Sequence, residues 1–395
     1  MKLIVAAVAA IIVGCFAGSA QAEDIPGVTA DQITLGQTAP LTGPAAAYRQ
    51  FSDAHQAYFR KINDEGGINK RKLRLITRDD SYSPPKTVEQ TRRLVEQDRV
   101  LAIFGSVGVA TMNSVKQYLS DAGVPQLVLG LGTNIWGDEE KLKWVTIWSP
   151  DQQIESIAFA ENILKKKPNA KIAVLYQNDD FGKNLLVGLK KGLGDKASMI
   201  VATASYELQD PTIDSQIISL HGSGADVLIF FSSPRFTVQG MRKAFDLGWK
   251  PETYLFSFST SVKNVMEPVG AKRATGTYSV SYLKEPNDPT WQNDAGMKDY
   301  MAWIAKYMPG ADPAEPLILQ GYGSAQLLVR ILRQCGDDLR RENVIKQAKS
   351  VKGLQLPMLL PGILIDMVPN VPSGIHKMQL VRFDGTKWTL AEGAR

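Results

Sequence analysis

The sequence predicts an α/β protein made of two lobes, each built on a doubly wound parallel sheet. Short runs rich in Val, Ile and Leu alternate with helical patterns from Ile33 onward, at the spacing expected of right-handed βαβ units. The alternation restarts after Trp148-Ser149-Pro150, where the proline disfavours continuation of a helix. With 395 residues, of which 44% are hydrophobic, the chain is long enough for two or three domains with substantial cores.

The first block of this alternation consists of short apolar strands separated by amphipathic helices. One predicted helix places Val88, Thr91, Leu94 and Val95 on a single face, as a helix lying on a sheet requires. The predicted strands cover residues 33–38, 73–77, 100–104 and 126–129, and the predicted helices cover residues 51–63, 87–97 and 113–121.

The second block repeats the pattern at a similar size. Its predicted helices cover residues 152–165, 183–193, 213–221 and 236–247, and its predicted strands cover residues 170–176, 199–204, 226–231 and 253–258. After Gly276 the pattern loosens, and the absence of a flexible linker favours a chain that crosses between the lobes several times. The last predicted elements are a crossing strand at 278–283, helices at 296–307, 322–334 and 341–349, and a terminal hairpin of residues 378–383 and 388–390.

Charge and residue counts exclude several classes of protein. The formal net charge is +5, from 45 Lys and Arg against 40 Asp and Glu without a long run of one sign, so we expect no nucleic-acid partner. Two cysteines and three histidines are too few for most metalloenzymes, and we expect no metal and no cofactor. Cys335 is predicted to be a buried, small apolar residue rather than a reactive thiol.

The first residues are typical of a signal peptide, which we assign to residues 1–22. Met1-Lys2 is followed by the apolar run 3–13 and by small residues that end in Ala20-Gln21-Ala22. We expect cleavage after Ala22 and an exported mature protein, because the apolar run is too short to span a bilayer. One alternative stays open: Ile12-Val13-Gly14-Cys15 resembles a lipobox, in which Cys15 would be lipidated and become the first residue.

Four short motifs occur in an order that resembles one known family. They are Pro40-Leu41-Thr42-Gly43-Pro44, Ile62-Asn63-Asp64-Glu65-Gly66-Gly67-Ile68, Asp79-Asp80 before Pro84, and Asp179-Asp180-Phe181-Gly182. Each motif is weak alone, but together they resemble the periplasmic leucine/isoleucine/valine-binding proteins that serve ABC importers. The resemblance runs from about Ile33 to the end of the chain.

This resemblance implies a type I periplasmic binding fold, in which two doubly wound α/β lobes are joined by three crossings and hold a small ligand in the cleft. It assigns residues 30–149 and about 280–355 to lobe 1, and residues 150–279 and about 356–395 to lobe 2. The crossings are expected at Ser149-Pro150, near 278–283 and near 353–361. The resemblance also implies a periplasmic, monomeric protein that is not an enzyme and that delivers its ligand to a membrane permease.

Two loops of lobe 1 are candidates for binding a ligand carboxylate. They cover residues 105–111 and 130–134, after predicted strands, where helix N-termini offer free N–H groups and glycines allow close approach. The resemblance matches Thr133 to the family's ligand-binding threonine, places Tyr48 in the cleft wall and makes Phe181 the closing aromatic ring of lobe 2. The remaining lobe 1 candidates are Gly108, Val109, Ala110 and Gly132.

The sequence departs from the family at two candidate binding positions. Val109 stands near a position where the family commonly has serine, so one hydroxyl contact is lost. The family's amino acid binders hold the ligand ammonium with a carboxylate after the last strand of lobe 2, whereas the loop 257–261 has no acid and offers Ser257 and Ser259. Arg235 follows a predicted strand near the cleft and is expected to pair with either a ligand carboxylate or the opposite lobe.

The missing acid bears on the chemistry of the ligand. An ammonium group is costly to bury without an anion, so we predict a carboxylate or amide ligand that has no α-amino group, such as an aromatic or aliphatic acid. Asp179 or Asp180 could replace the missing charge, and amino acids therefore stay open as ligands.

Two other functions fit parts of the pattern. A secreted hydrolase would use an Asp pair, but the sequence has no Ser or Cys motif with a suitable His partner, and loop capping accounts for Asp79-Asp80. His55, His221 and His376 are predicted to be surface or hydrogen-bonded residues. The second alternative is a ligand-sensing subunit of the same fold, whose partner would be a receptor.

Overall fold

The computed structural model describes residues 24–130, 142–368 and 371–391, and its first sheet is wholly parallel. The strand order is β2-β1-β3-β4-β5, so the direction of winding reverses between β1 and β3. Residue pairs between β1 and β2 run from Gln32↔Lys72 to Ala39↔Asp79. The strands are β1 (Gln32–Ala39), β2 (Lys72–Asp79), β3 (Ile103–Phe104), β4 (Gln126–Leu129) and β5 (Val145–Ile147).

The second sheet has seven strands in the order β12-β11-β10-β9-β8-β6-β7. Strands β7, β6, β8, β9 and β10 are parallel, and the terminal hairpin β11–β12 adds to β10 in antiparallel orientation. The strands are β6 (Ile172–Gln177), β7 (Ile200–Tyr206), β8 (Val227–Phe231), β9 (Glu252–Leu255), β10 (Tyr278–Ser281), β11 (Gln379–Phe383) and β12 (Trp388–Leu390). These two sheets confirm the predicted fold class.

Helices separate the strands, as the alternation of patterns predicts. They are α1 (Arg49–Asp64), α2 (Pro84–Arg92), α3 (Val109–Asp121), α4 (Gln152–Lys166), α5 (Asp180–Leu193), α6 (Asp214–Gly222), α7 (Pro234–Asp246), α8 (Ala295–Tyr307), α9 (Pro316–Gln334) and α10 (Arg341–Lys349). Shorter helical turns cover Ala46–Tyr48, Arg93–Gln97, Gly194–Met199, Ser257–Ser259, Val262–Met266, Glu267–Val269, Ala271–Ala274 and Pro289–Trp291.

The start of α9 differs from its prediction at residue 322, because the helix already begins at Pro316. Gly321 and Gly323 lie inside it rather than before it. A Cβ at Gly321 would meet the main chain of Phe51 at 2.7 Å, and a Cβ at Gly323 would meet the ring of Trp148 at the same distance. These glycines therefore serve close packing of helix α9 against lobe 1, and they do not break the helix.

Strand prediction differed from the structure at two further places. The strand β5 is only three residues long and was not predicted. The predicted strand 253–258 ends at Leu255, because the chain leaves the sheet and forms a helical turn over Ser257–Ser259.

The chain passes between the two sheets at three places among the described residues. It leaves β5 for α4 through residues 148–151, leaves β10 for α8, and leaves α10 for β11. Helices α8 and α9 pack on α1, so lobe 1 contains two separate parts of the chain. The residue numbers given above for the lobe boundaries stay predictions.

The central strands of the second sheet are buried on both faces. All five residues of β8 are buried, and in β6 only Tyr176 is partly exposed. Near-continuous apolar runs of this kind are expected where helices cover both faces of a parallel sheet. One buried cluster includes Ile103 and Leu127 of the first sheet together with Val174 and Ile229 of the second, so the lobes share a continuous core.

Candidate functional site

A cavity that is partly open to solvent lies between the two sheets, at the carboxyl ends of strands from both, and its empty space amounts to about 510 Å³ with the open part included. In lobe 1, Tyr48 follows β1 and Gly108 follows β3, the two strands between which the winding reverses. In lobe 2, Phe181 follows β6 and Ser257 follows β9. Ligands of doubly wound sheets bind at this edge, so the two lobes present their binding edges to a single cavity.

Aromatic rings from both lobes form a continuous shell along the cavity wall. Tyr48 of lobe 1 contacts Tyr82 at a centroid distance of 6.5 Å and Phe258 of lobe 2 at 6.4 Å. Phe258 in turn stacks on Phe256 at 5.3 Å, and Phe256 meets the edge of Phe181 at 4.7 Å. We call these five residues the aromatic shell. Such a wall favours a ligand with an apolar body.

Burial in the aromatic shell raises the pKa of its two phenol groups, those of Tyr48 and Tyr82. Burial raises the pKa of Tyr48, and the charge of Asp179 adds to this effect. The same two causes, in the same order, raise the pKa of Tyr82. Both phenols therefore stay protonated and are available as hydrogen-bond donors at neutral pH.

The N-terminus of α3 reaches the cavity from lobe 1. Gly108 is its N-cap residue, with φ +116°, a backbone conformation that favours glycine, and no side chain caps the helix. Gly108 and Val109 both line the cavity. Uncapped N–H groups at the positive end of a helix are suited to a carboxylate.

A buried acid enters the cavity from lobe 2. Glu155 lies in α4, lines the cavity and is only 2% exposed. One oxygen of its carboxyl group accepts the Ser257 main-chain N–H at 2.7 Å, and the other accepts the Ser257 hydroxyl at 2.8 Å. Burial raises the pKa of Glu155 to about 8, while the two bonds from Ser257 oppose the rise.

Glu155 was missed in the sequence because Ser257 lies far from it along the chain. The loop 257–261 has no acid of its own, as the sequence shows, but α4 brings one to the same place. The cavity therefore does contain an acid side chain, which comes from outside that loop. A signal was present: α4 begins directly after the crossing, so its first turns must border the cleft, and Asp151 and Glu155 are one turn apart.

The structure brings five of the ten predicted site residues to the cavity, and their contact with ligand stays a prediction. Those that line it are Tyr48, Gly108, Val109, Phe181 and Ser257. Gly132 and Thr133 lie outside the described residues. The lining does not include Ala110, which lies in the first turn of α3.

Arg235 and Ser259 are held away from the cavity by other partners. The Arg235 guanidinium donates to the carbonyl oxygens of Asp210 and Pro211, each at 3.3 Å and both in lobe 2. These contacts correct the expectation that Arg235 pairs with a ligand carboxylate or with the opposite lobe, because its guanidinium bonds within its own lobe. The Ser259 hydroxyl donates to the Ser232 carbonyl at 2.7 Å and fixes the loop after β9.

Asp79 and Asp179, one from each acid pair that the sequence offers as a candidate, act in local structure. Asp79 accepts N–H groups from Leu41 and Ser81, and its pKa is lowered chiefly by hydrogen bonds that outweigh its desolvation, in agreement with the predicted capping role. Asp179 is the N-cap of α5, accepting the Phe181 N–H at 3.0 Å. Neither Asp179 nor Asp180 lines the cavity, so the acid there is supplied by α4 instead.

The histidines and Cys335 lie where structural residues are expected. His55 is fully buried between Gln37 and Ser324, and burial lowers its pKa to about 3. Nε2 of His376 lies 2.8 Å from the Asp366 carbonyl oxygen. Cys335 is buried at the end of α9, and burial raises the pKa of its thiol to about 11, which keeps it protonated.

Comparison with known proteins identifies the family. The sequence matches the family model of periplasmic binding proteins over residues 32–387. The chain therefore belongs to the periplasmic binding protein family. A Leu/Ile/Val-binding protein homolog 7 of Brucella suis is 24% identical over 342 residues, which cover 84% of this chain and 82% of that protein. An amino acid binding protein of Pseudomonas aeruginosa is 27% identical over 203 residues, which cover 50% and 53%.

Solved structures share the fold. The structure of a branched-chain amino acid ABC transporter from Thermus thermophilus with bound valine matches with a TM-score of 0.81 at 16% identity, covering 92% of this chain and 96% of that one. A fatty acid ABC transporter substrate-binding protein from Thermomonospora curvata matches with a TM-score of 0.80 at 21% identity, covering 94% of each. These matches confirm the type I fold. Within the described residues, every helix is too short or too polar to cross a bilayer.

Proposed function

We propose that this protein captures a small amino acid, or a related carboxylate or amide, in the cavity between its lobes and delivers it to an ABC importer. The observation that carries the proposal is the cavity itself. It joins the binding edges of two doubly wound sheets, and its wall contains the aromatic shell together with the uncapped N-terminus of α3. A ligand that touches both lobes stabilises the form in which they are together, and a permease can recognise that form.

Two parts of the cavity lining bind different parts of the ligand. The N-terminus of α3 offers N–H groups to a carboxylate, and each charge-assisted bond contributes about 1.5–3 kcal/mol. The aromatic shell takes the apolar body of the ligand, and burial of one ring or branched side chain adds about 1.5–3 kcal/mol. Together these contributions fit micromolar binding of a small molecule.

The relatives support this ligand class. Proteins named as Leu/Ile/Val-binding homologues and as an amino acid binding protein are similar to this chain in sequence. The fold neighbours include one with bound valine and one named for fatty acids, both acids with an apolar body. We further propose that the signal peptide directs the protein to the periplasm, that it acts as a monomer, and that it catalyses no reaction.

A thermal-shift screen of ligand-stripped mature protein tests the proposal. The panel contains branched-chain amino acids, their amides, and aromatic and aliphatic acids. A ligand at 100 times its Kd adds about 2.7 kcal/mol to the free energy of unfolding, which gives a measurable rise in Tm. A screen in which no member of these classes raises Tm contradicts the proposal. Delivery is then tested by ligand-dependent stimulation of the importer's ATPase activity.

A further inference from the structure

We propose that a second cavity, beside the crossing from β10 to α8, binds a small molecule with an amide group and an apolar body, and that its occupancy tightens binding in the first cavity. The empty space of the second cavity amounts to about 690 Å³ with its open part included, and small-molecule sites usually have about 300–1,000 Å³. The second site goes beyond the proposed function, and only the coupling rests on it. The lining includes Ser257, Thr260, Tyr282, Glu285, Gln320 and Trp388.

The lining of the second cavity comes from both lobes. Leu319 and Gln320 belong to α9 of lobe 1, whereas Trp388 belongs to the terminal hairpin of lobe 2. A molecule bound there contacts both lobes in the arrangement that the structure has, and separation of the lobes removes one set of these contacts. The occupant therefore stabilises the same arrangement of the lobes as a ligand in the first cavity.

Gln320 offers the second cavity a buried hydrogen-bond donor. The residue is only 3% exposed, and its Oε1 accepts the Tyr282 hydroxyl at 2.7 Å. Its Nε2 has no hydrogen-bond partner among the described residues. A buried N–H group without an acceptor costs free energy, so an occupant that brings a carbonyl oxygen to Gln320 is favoured.

Glu285 offers the second cavity an acceptor. One oxygen of its carboxyl group accepts the Asn287 main-chain N–H at 3.2 Å, and the other accepts no hydrogen bond from a described residue. Burial raises the pKa of Glu285 to about 7, against the bond from Asn287, and the charges of Asp312 and Asp288 add to the rise. A primary amide brings a carbonyl oxygen for Gln320 and an N–H for Glu285, so one group satisfies both residues.

The rest of the lining suits an apolar body and disfavours an acid. Glu285 and Asp288 both line the second cavity and repel an anion. Lys284 also lines it, but its ammonium group already donates to the Asp294 carboxylate and to the Pro357 carbonyl, each at 2.7 Å. The apolar side chains there are large, and indole rings are well suited to the ring of a ligand. They include Leu283, Trp291, Leu319, Leu360, Val381 and Trp388.

Two residues line both cavities and connect them. The main-chain N–H and hydroxyl of Ser257 donate to Glu155 in the first cavity, and the Tyr282 hydroxyl donates to Gln320 in the second. An occupant that bonds to Nε2 of Gln320 fixes the acceptor of the Tyr282 hydroxyl, and so it holds the Tyr282 ring in the wall of the first cavity. Coupling between two sites is reciprocal, so each ligand tightens binding of the other.

NMR of the tryptophan indole N–H groups locates the binding, with benzamide as the probe. We expect benzamide to shift the signals of Trp291 and Trp388 with a Kd of about 1 mM. The signal of Trp303, which is buried outside the described lining of both cavities, should not move. Trp291→Phe and Trp388→Phe assign the two signals. Unchanged signals of both residues overturn the proposal.

Benzoate and benzylamine are matched compounds that test the chemical class. Benzoate is repelled by Glu285, and benzylamine has no carbonyl oxygen for Gln320. Each should bind the second cavity about 10-fold more weakly than benzamide. Either compound binding as tightly as benzamide, by the same indole signals, overturns the assignment of an amide.

Two isosteric variants test the two polar residues. Gln320→Glu keeps an oxygen for Tyr282 and removes the free N–H, whereas Glu285→Gln keeps an oxygen for Asn287 and removes the free acceptor. Each should weaken benzamide binding about 10-fold. Gln334→Glu, at the exposed end of α9, is the matched control and should bind as wild type does. Wild-type affinity in both cavity variants overturns the proposal, and if a variant fails to fold, the three compounds on wild type decide.

Calorimetry with and without saturating benzamide tests the coupling. L-Leucine, L-valine, L-phenylalanine and 3-methylbutanoate are titrated into wild type, and we expect benzamide to tighten binding of at least one of them about 5-fold. Unchanged or weaker binding of every compound that binds overturns the coupling. Failure of all four to bind in either condition counts against the proposed function and removes the coupling with it, whereas the indole signals decide the second site by themselves.

Discussion

The Asn113 side-chain amide donates a hydrogen bond to the Asp180 carboxylate at 2.8 Å, and this bond joins α3 of lobe 1 to α5 of lobe 2. A second polar link involves Glu315, the residue before α9. Its carboxylate accepts hydrogen bonds from the Ser261 hydroxyl at 2.6 Å and from the Asn264 side-chain amide at 2.8 Å. The lobes are therefore held together by protein contacts as well as by any ligand. Such contacts stabilise the arrangement of the lobes seen in the structure, and on the proposed function they favour the ligand-binding form.

Asn113→Ala should weaken ligand binding without harming the fold. The substitution removes the bond to Asp180 and also removes Asn113 Oδ1, a buried acceptor without a hydrogen-bond partner. Loss of about 0.5–1.5 kcal/mol from the closed form lowers affinity about 2- to 10-fold. Small-angle scattering should show a larger radius of gyration for the empty variant. Gln117→Ala, on the same helix and bonded within it to Asp121, should change neither quantity.

Gly108→Ala should abolish binding and cost about 1–3 kcal/mol of stability. Gly108 has φ +116°, and a Cβ there would collide with the Thr111 hydroxyl and with the ring of Tyr82. To relieve this collision, the backbone at Gly108 and the Tyr82 ring have to move, which displaces both the N-terminus of α3 and the aromatic shell. Gly123→Ala is the control, since Gly123 follows α3 with φ +58° and a Cβ would approach only Trp144, at 3.5 Å. Equal loss of binding in the two variants, measured by calorimetry, would count against the proposed site.

His55 should make the protein less stable in mild acid. Nδ1 of His55 lies 2.9 Å from the Gln37 amide nitrogen, which can only donate, and Nε2 lies 2.8 Å from the Ser324 hydroxyl oxygen. The network therefore holds a neutral ring, and burial lowers the folded-state pKa to about 3 against an unfolded value of 6.5. The stability from this group is complete above pH 6.5 and falls progressively as the pH approaches 3.

Chemical denaturation of wild type and His55→Gln at pH 7.5 and 5.5 measures this dependence. Wild type should lose about 1 kcal/mol more than the variant over this interval. Comparison with the variant removes the contributions of other groups, including Glu155, whose raised pKa acts in the opposite direction. Parallel pH dependences of the two proteins would show that His55 is not responsible.

Trp388→Phe should destabilise lobe 2 by removing a bond between the terminal hairpin and the chain after β9. The Trp388 indole N–H donates to the Thr260 carbonyl at 2.7 Å, and its ring packs on Phe383. Phenylalanine keeps most of the packing and loses the bond, so we expect a decrease of about 1–2 kcal/mol in the free energy of unfolding. Urea denaturation measures it. Thr389→Val on the same strand is the control, because Thr389 bonds only to the neighbouring Arg382 carbonyl among its described partners.

Element order and type could be predicted from the sequence because local periodicity reports them. The predicted helix 341–349 and strand 388–390 match the structure at both ends. The start of α9 could not be found this way, because a glycine that permits close packing has the same local pattern as a glycine that ends a helix. The strand β5 could not be predicted either, because three residues are too few to show the alternation of a strand.

The candidate site was harder to predict than the fold. Tyr48, Gly108 and Phe181 follow strands directly, and strand ends can be located in a sequence. Glu155 acquires its place in the site only through contact with Ser257, which lies in a different βα unit. A contact between distant parts of the chain leaves no local pattern in the sequence. The acid was therefore expected in the loop 257–261, whereas α4 supplies it.

The antiparallel strand β11 has a consequence for the order of folding. It pairs with β10, yet α8, α9 and α10 separate the two strands along the chain. During synthesis, β10 must therefore wait with an open edge until the carboxyl-terminal residues emerge, and long-range pairing of this kind is slow. Completion of lobe 2 is therefore a late event in folding, because its sheet gains its last two strands only after three further helices of lobe 1 have been made.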